Sequence, residues 1–463
     1  MLKSRIKSIC FCPEACAYNR NGKTYFVNSK AGTWVALSFS AINKFINGSS
    51  TSEEFVAVYD ALARKYIIKD KRYQCQTKQS AVKPLLIKFQ STGKCNFHCV
   101  YCFNDNAIRT HSMNIETLYQ CVDYVFDNPY AANGISFAIY GGEPFMDKEL
   151  FYKAVKYIQE KSKGRSDVQI SAITNGSLLD DDDIAFIVKN NIHLSYSFDG
   201  LPEFQAHNRM PDHKEMADKS FLNLKKVSSY KYTTVLSTIT CEMSTHLEDI
   251  ALYMENLGVT NVEFLPLRLM GVADGKNGLS VNIGEYVNSL SKVVELIECG
   301  KIRHLRVGTI MRLLLPLETG DTLHGELQDY RCGAGRNTLY IKYDGTIRGC
   351  DMIPDKYSPV IGDVWKGIDK LDKLDVNIAQ TDKISNSCKQ CPWFYFCRSG
   401  CAGASGSDDG SCNQKHTLSC AINKAMYPLL LEKLTTDGGV MHQYFVTHFP
   451  MDIGTETTDL HLV

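Results

Sequence analysis

The sequence predicts an α/β protein built around a parallel sheet, with a small unit before the sheet and a cysteine-rich domain after it. Residues 84–311 alternate short strands and amphipathic helices six times, the pattern of a parallel sheet with right-handed crossovers. Residues 1–80 contain a hairpin and two short helices instead. Residues 330–435 hold eight of the 18 cysteines of the chain. These differences define three predicted domains.

The N-terminal segment, residues 1–80, has the make-up of a winged-helix-like unit. Two strand-like stretches, KTYFVNS and TWVALS, flank a turn at residues 30–32. The helical patterns SAINKFING and SEEFVAVYDALARKYI follow, and Thr51 and Glu54 form a capping-box pair at the start of the second. Cys10, Cys12 and Cys16 precede the hairpin, either as metal ligands or as ordinary parts of this unit.

The middle segment, residues 84–311, predicts six strands rich in Val, Ile, Tyr and Phe: PLLIKFQST, ISFAIYGG, VQISAITN, IHLSYSFD, TTVLSTIT and NVEFLPLR. Helical patterns such as IETLYQCVDYVFDN and HLEDIALYMENLG lie between them. In such folds the functional residues sit at the C-terminal ends of the strands. Polar residues that directly follow a strand are therefore the candidates. Periodicity alone does not decide whether the sheet closes into a barrel.

Composition and charge exclude several classes of protein. Lys+Arg and Asp+Glu both number 51, which predicts neither a nucleic-acid partner nor attraction to an anionic membrane. No apolar run reaches the roughly 18 residues of a membrane helix, and the N-terminus lacks the apolar stretch of an export signal. We therefore expect a cytoplasmic protein. In a reducing compartment, cysteines are expected as metal or cluster ligands rather than as disulfides.

The C-terminal part divides into two segments. Residues 330–435 contain short strand pieces and many glycines, with too little apolar surface to fold well without bound metal. Residues 436–463 are polar and include His442, His448 and His461. We interpret this last segment as a mobile or loosely docked tail with solvated histidines.

A cysteine loop directly follows the first predicted strand of the middle segment. Cys95, Cys99 and Cys102 form a C-x3-C-x2-C pattern, with Tyr101 before the last cysteine. Three thiolates on one loop can hold three irons of a [4Fe–4S] cube and leave the fourth iron open for another ligand. The alternative is zinc, which prefers paired C-x2-C knuckles and four protein ligands.

Three further motifs follow the next three strands. Residues 140–144 read Tyr-Gly-Gly-Glu-Pro, residues 174–176 read Thr-Asn-Gly, and residues 197–209 carry an S-x-D-G…H-x-R pattern. Together with the cysteine loop, and in this order, they resemble the radical S-adenosylmethionine (SAM) superfamily over the whole middle segment. The resemblance implies a partial (β/α)6 TIM-like barrel that binds SAM at the open iron.

The resemblance also implies the residues that contact SAM: Tyr101, Gly141, Gly142, Glu143, Asn175, Ser197 and Asp199. The glycines permit close backbone approach, and Glu143 would accept a hydrogen bond from the methionyl ammonium. For Asp199 the alternative is a polar turn residue that caps a strand. In this family one electron from the cluster cleaves SAM, and the resulting 5′-deoxyadenosyl radical takes a hydrogen atom from an unactivated carbon.

The C-terminal cysteines follow a second pattern: Cys332-x12-Gly345-x4-Cys350, Cys388-x2-Cys391-x5-Cys397-x3-Cys401, and then Cys420. This pattern resembles SPASM domains, which hold auxiliary [4Fe–4S] clusters, so the resemblance implies three clusters in all. By position, the distal auxiliary cluster would be held by Cys388, Cys391, Cys397 and Cys420. The nearer auxiliary cluster would be held by Cys332, Cys350 and Cys401. Cys412 is the alternative to Cys420 as the last ligand.

The nearer auxiliary cluster is expected to have an open iron. Fully ligated members of the family have another cysteine shortly before the first ligand, whereas this chain has HGELQDYR there. A substrate thiolate could then bind the open iron, unless Cys412 or Cys299 completes the set.

Asp351, directly after Cys350, is the candidate catalytic residue. In anaerobic sulfatase-maturing enzymes, which this segment resembles, the aspartate at this place acts as a base on the substrate radical. The alternative is a solvated turn residue.

The resemblance implies a peptide substrate, because SPASM-bearing enzymes mostly modify peptides. The N-terminal unit resembles the elements that dock the leader of a precursor peptide by strand addition, although such a unit could also only shield the barrel. We expect a sactisynthase-like maturase that forms a thioether from a cysteine sulfur to a carbon, with flavodoxin or ferredoxin as the electron donor. The alternatives are an anaerobic sulfatase maturase, which converts Cys or Ser to formylglycine, and a maturase that forms a carbon–carbon bond or epimerises a residue.

Overall fold

The computed structural model describes residues 9–73, 84–104, 110–209, 212–320, 332–353, 359–368, 384–436 and 438–449. Within these ranges the chain forms an antiparallel sheet of three strands and a larger sheet of eleven strands, with helices packed around both. The helices of the described part include none that is both long and apolar enough to cross a membrane.

The N-terminal unit consists of three strands and two helices: β1 (Ala15–Arg20), β2 (Lys23–Asn28), β3 (Thr33–Ser38), α1 (Phe39–Asn47) and α2 (Ser52–Arg64). The two predicted strands and two predicted helices are confirmed, and the capping box of Thr51 and Glu54 is formed. Strand β1, which carries Cys16, was not expected from the sequence. This unit has a core of its own, in which Phe45 stacks on Phe55.

All six strands predicted in the middle segment are present and parallel, and a short seventh strand follows them. They are β4 (Leu85–Thr92), β5 (Ile135–Gly141), β6 (Val168–Thr174), β7 (His193–Ser197), β8 (Thr233–Ile239), β9 (Asn261–Pro266) and β10 (Arg306–Val307). They lie side by side in chain order, as right-handed crossovers require. The α/β fold class is thereby confirmed.

Helices connect these strands and continue after them. They are α3 (Ile115–Phe126), α4 (Lys148–Lys161), α5 (Asp181–Lys189), α6 (Pro202–Arg209), α7 (Lys214–Val227), α8 (Leu247–Leu257), α9 (Ile283–Glu298) and α10 (Gly308–Thr319). Short 3-10 helices cover Pro129–Asn133, Pro144–Asp147, Glu242–Thr245, Gly271–Ala273 and Asn277–Leu279. Four consecutive aspartates, residues 180–183, stand at the start of α5. Asp180 is the N-cap residue and forms a capping box with Asp183.

Strands of the cysteine-rich domain extend the same sheet beyond β4. They are β11 (Thr338–Ile341), β12 (Thr346–Arg348), β13 (Gly362–Asp363) and β14 (Gly367–Ile368). Strand β11 runs parallel to β4, with Tyr340 opposite Lys88, and β12 returns antiparallel, with Arg348 opposite Tyr340. This pairing brings the residues after β12 against the first strand of the middle segment.

The C-terminal part is otherwise helical, with α11 (Asn386–Lys389), α12 (Phe394–Cys397), α13 (Ala402–Asp408), α14 (Thr417–Leu434) and α15 (Val440–His448). The N-terminal unit packs against this part and against α10. Lys23 donates to the Thr435 carbonyl at 2.7 Å, and the Trp34 indole donates to the Leu317 carbonyl at 2.7 Å. The unit is therefore attached to both neighbouring domains.

The expectation of a loose tail over residues 436–463 is wrong for residues 440–448. These form helix α15, in which Met441 and Phe445 are buried. The Tyr444 hydroxyl donates to the Leu305 carbonyl at 2.9 Å and accepts from the Val307 amide at 2.7 Å. His448 is half-buried, with both ring nitrogens shielded from solvent, and this burial lowers its pKa to about 4. The prediction of a loose tail overlooked the apolar residues Met441, Tyr444 and Phe445, whose i, i+3 and i+4 spacing is typical of a helix.

Candidate active site

The cysteine loop lies directly beyond the end of β4 and is half-buried. Burial raises the pKa of both Cys95 and Cys99 to about 12, so neither thiol ionises readily without a cation beside it. Irons of a cluster would supply that positive charge. Among the described residues no three Cys, His, Asp or Glu side chains are close enough to hold a single metal ion. In a cube, each thiolate binds a different iron.

The Gly-Gly-Glu-Pro motif is joined to this loop through its backbone. The Gly142 amide donates to the Thr92 carbonyl at 2.8 Å, and the Glu143 amide donates to the Lys94 carbonyl at 2.8 Å. A Cβ on Gly142 would lie 2.2 Å from the carbonyl oxygen of Lys94 and 2.5 Å from that of Gly93. Only glycine allows this approach, so the motif sets the path of the chain that enters the cysteine loop.

We expect Gly142→Ala to lower the free energy of unfolding by about 1–3 kcal/mol, because a backbone carbonyl has to move to make room for the methyl group. The iron content of the reconstituted protein should fall with it. Gly278→Ala is the matched control, because a Cβ there meets nothing within 4 Å. Chemical denaturation and iron analysis of both variants check the prediction, and equal losses would contradict it.

Glu143 is fully buried and bound by three donors of the protein. The Thr174 hydroxyl donates to Oε1 at 2.7 Å, the Phe145 amide to Oε1 at 3.1 Å and the Asn175 amide to Oε2 at 2.7 Å. Burial raises the pKa of this carboxyl to about 7. Glu143 therefore fixes the turn after β6, and the predicted hydrogen bond from the methionyl ammonium stays a prediction.

A ring of hydrogen bonds links the cysteine loop to that same turn. Asn175 Nδ2 donates to Asn96 Oδ1 at 3.0 Å, and Asn96 Nδ2 donates to Ser177 Oγ at 2.8 Å. The Ser177 hydroxyl closes the ring by donating to Asn175 Oδ1 at 2.7 Å. Asn175 thus positions the loop through Asn96. Sequence reasoning missed Asn96 because it looks like a spacer within the C-x3-C pattern.

Asp199 lies at the centre of a buried network beneath the loop. It accepts from the Arg209 guanidinium at 2.8 Å, from the Thr238 amide at 3.1 Å and from the Tyr101 hydroxyl through a short hydrogen bond. The Arg209 guanidinium also lies 5.6 Å from the centre of the Tyr101 ring. Ser197, predicted to contact SAM, ends β7 two residues earlier. Asp199 is therefore a buried anion that ties three segments together, which goes beyond the capping of one strand.

The histidine and arginine of the H-x-R pattern have different environments. Arg209 is buried in its ion pair with Asp199, whereas His207 is exposed and lies 3.3 Å from Glu242. Only Arg209 therefore belongs to the site.

Asp351 is buried beside two residues that the sequence analysis did not single out. The Lys88 ammonium donates to Oδ1 at 2.7 Å and the Tyr140 hydroxyl donates to Oδ2 at 2.9 Å. The side chains of Lys88 and Asp351 are 6% and 5% exposed, so the solvated-turn alternative is wrong. Although burial acts to raise it, the pKa of Asp351 is lowered by the Lys88 charge. Asp351 is an ionised, oriented carboxylate.

The C-terminal cysteines lie in two neighbouring groups. Cys332, Cys350 and Cys401 line a cavity of about 280 Å³, and Cys397 lines it too. Cys397 also lies within electrostatic range of Cys391 and Cys420, and it accepts a hydrogen bond from Asn423 Nδ2 at 3.0 Å. Cys388 is one turn from Cys391. This arrangement accommodates the predicted division of ligands. The stretch HGELQDYR lies outside the described residues.

The cavity beside Asp351 has the chemistry that an anionic cluster requires. Arg268 lines it, and among the described residues its buried Nη1 atom has no hydrogen-bond partner. Its charge interacts most strongly with the thiols of Cys401 and Cys350. A cluster with bridging sulfides would provide the missing acceptor, so these residues fit an iron–sulfur group.

The parallel sheet with the cysteine loop at its carboxyl edge is the arrangement expected of an α/β iron–sulfur enzyme. Residues 89–251 match the model of the radical SAM superfamily, and this range contains the cysteine loop and the three motifs that follow it. The chain thus contains a radical SAM domain, in which the cysteine loop is the expected site of the [4Fe–4S] cluster that binds SAM.

Several curated proteins are similar to a large part of this chain. The cysteine-type anaerobic sulfatase-maturating enzyme of Clostridium novyi is 25% identical over 338 residues, which is 68% of this chain and 87% of that protein. The radical SAM cyclopropyl synthase TigE of Paramaledivibacter caminithermalis is 23% identical over 367 residues, which is 75% of this chain and 74% of that protein.

Two solved structures share the fold. The enzyme anSMEcpe with bound AdoMet has a TM-score of 0.61 at 21% identity, and the match covers 75% of this chain and 98% of that one. SuiB of Streptococcus suis, bound to its precursor peptide SuiA, has a TM-score of 0.53 at 12% identity. That match covers 89% of this chain and 99% of SuiB.

Proposed function

We propose that the protein is a maturase that oxidises a residue of a ribosomally synthesised precursor peptide and forms a thioether from a cysteine sulfur to a carbon. The observation that favours it over formylglycine formation is the three-stranded unit ahead of the middle domain, and the position of Asp351 supports the net oxidation that both reactions require. This ionised carboxylate lies next to the Cys350 thiol, which lies 3.5 Å from Asp351 Oδ1. A proton acceptor and a ligand of an electron-accepting cluster are thereby placed side by side.

Thioether formation needs both of these acceptors. SAM bound at the first cluster supplies a 5′-deoxyadenosyl radical, which removes one hydrogen atom from a substrate carbon. The new S–C bond would form as the thiol loses its proton to Asp351, and the remaining electron would be taken up by the auxiliary cluster that Cys332, Cys350 and Cys401 would hold. The substrate has then lost two hydrogen atoms. Epimerisation needs no such electron acceptor, so this geometry favours net oxidation.

The N-terminal unit would bind the leader of the peptide. Within the described residues β3 pairs with β2 alone, which leaves its outer edge available for strand addition. The contact between Trp34 on β3 and Leu317 on α10 places this edge beside the middle domain. We accordingly propose residues 1–80 as a recognition domain, 84–311 as the radical SAM domain and 330–435 as a SPASM domain with two auxiliary clusters.

A sulfatase maturase is the second candidate. Its support is the similarity to sulfatase-maturating enzymes together with the buried Asp351. The three-stranded unit ahead of the middle domain favours a leader-guided substrate instead. Either activity would take place in the cytoplasm with reduced flavodoxin or ferredoxin as the electron donor.

The test is anaerobic incubation of the reconstituted enzyme with SAM, dithionite and one of two peptides. The first is a candidate precursor, a short cysteine-containing peptide with its leader from an open reading frame next to the gene, and the second is a sulfatase-derived peptide. For the first peptide we expect the loss of two hydrogen atoms, with the sulfur retained but closed to alkylation. Mass spectrometry with and without iodoacetamide measures both changes.

Two controls decide between the candidates. Removing the leader from the first peptide should raise KM, because strand addition to β3 is lost. Loss of sulfur from the second peptide, with gain of a hydrazine-reactive carbonyl, would instead establish formylglycine formation. An unmodified first peptide, while SAM is still cleaved, would overturn the thioether proposal.

A further inference from the structure

We propose that Cys412 is the fourth thiolate ligand of the nearer auxiliary cluster, together with Cys332, Cys350 and Cys401. The proposal rests on the assignment of an auxiliary cluster to the latter three, and it is independent of the identity of the peptide. It replaces the open iron that the sequence analysis expected with a fully ligated cluster.

The carrying observation is the position of Cys412 in the fold. Its side chain is only 2% exposed and belongs to a small buried cluster with Ala334, Ile353 and Ala402. Cys332 and Cys350 pack against this same cluster, and Ala402 directly follows Cys401. All three proposed ligands of the nearer cluster therefore lie around the group that contains Cys412.

The path of the chain after Cys401 explains this position. Helix α13 begins at Ala402, and Gly403 approaches the Met352 carbonyl so closely that a Cβ would lie 2.0 Å from its oxygen. After the helix the chain turns back, and the Ser411 amide donates to the Ser405 carbonyl at 3.2 Å. This return places Cys412 beside the start of the helix that Cys401 precedes.

The competing assignments of the cysteines fit less well. Cys299 is exposed at the end of α9, where its thiol lies 3.5 Å from the Leu296 carbonyl. Cys420 lies within electrostatic range of Cys397, in the group proposed for the distal cluster. Cys412 is therefore the buried cysteine beside the nearer cluster to which the cysteine pattern of the family assigns no ligand role.

A cluster closed by a fourth thiolate accepts an electron without binding the substrate sulfur at an iron.

The test uses the full-length chain in which Cys95, Cys99 and Cys102 are all replaced by Ala, which removes the SAM-binding cluster. We expect about eight irons per chain after anaerobic reconstitution, from two [4Fe–4S] clusters. Mild oxidation should leave the EPR spectrum without a [3Fe–4S] signal, because this signal arises when a cluster loses an iron that no cysteine holds. Adding Cys412→Ala should generate that signal or remove about four irons.

Cys299→Ala in the same background is the matched control and should change neither quantity. A [3Fe–4S] signal in the background protein, before any change at Cys412, would show an open iron and overturn the proposal even if the Cys412 variant does not fold. An unchanged Cys412 variant would overturn it as well. About four irons in the background would instead show that one auxiliary cluster is missing, and the ligand assignment would fall with it.

Discussion

Replacing Asp351 with Asn is expected to lower peptide modification by about 10²–10⁴-fold while 5′-deoxyadenosine is still formed. The amide has nearly the shape of the carboxylate, so the Tyr140 hydroxyl keeps an acceptor, but Asn cannot take a proton from the substrate. SAM cleavage depends on the first cluster, and Asp351 is not among the residues expected to hold that cluster or SAM. Parallel quantitation of 5′-deoxyadenosine and modified peptide measures the two effects.

Lys88 provides the control for structural damage. Asp351→Asn leaves the Lys88 ammonium buried without its anion, and breaking a buried pair costs about 3–5 kcal/mol. The double variant Lys88→Met/Asp351→Asn should recover most of the stability without recovering product. Recovery of product together with stability would show that Asp351 is structural, and wild-type product formation in the single variant would exclude it as a base.

Replacing Arg209 with Met is expected to lower the free energy of unfolding by about 3–5 kcal/mol, because Asp199 would keep a buried charge without its cation. Tyr101 would lose the guanidinium over its ring, and Tyr101 directly precedes Cys102 in the cysteine loop. We therefore expect the iron of the first cluster to be lost as well. Urea denaturation and iron analysis measure both changes.

His207→Ala is the matched control, because His207 belongs to the same helix and the same motif. Its ion pair with Glu242 is 72% and 57% exposed, and such pairs contribute about 0–1 kcal/mol. A variant at His207 that is as unstable as the one at Arg209 would show that helix α6, rather than the buried pair, accounts for the loss.

The elements that were predicted correctly depend on local signals. The six strands of the middle segment follow from short runs of β-branched and aromatic residues, and the start of α2 follows from its capping box. The cysteine loop and Asp199 were singled out as candidates because their motifs directly follow strands, where a parallel sheet places its functional residues.

The features that were missed depend on contacts between distant parts of the chain. Lys88 is one residue in an apolar strand, and its role appears only when β11 pairs with β4 and brings Asp351 beside it. Asn96 becomes important only through Asn175, which is 79 residues away. No periodicity within one segment reports these two contacts. Helix α15 is different, because the spacing of its apolar residues is a local signal that the sequence analysis overlooked.

The N-terminal unit is attached to the end of α14, and this contact constrains the order in which the protein folds and receives its clusters. Arg20 and Asn21 both bind Glu432, and Arg20 is separated from it by 412 positions in the chain. During synthesis the first strands leave the ribosome long before the helix that covers them. Cys420, a proposed ligand of the distal cluster, lies on that same helix, so this cluster cannot be complete before the helix has emerged. We therefore expect completion of the distal cluster and closing of this last contact to be late steps of assembly.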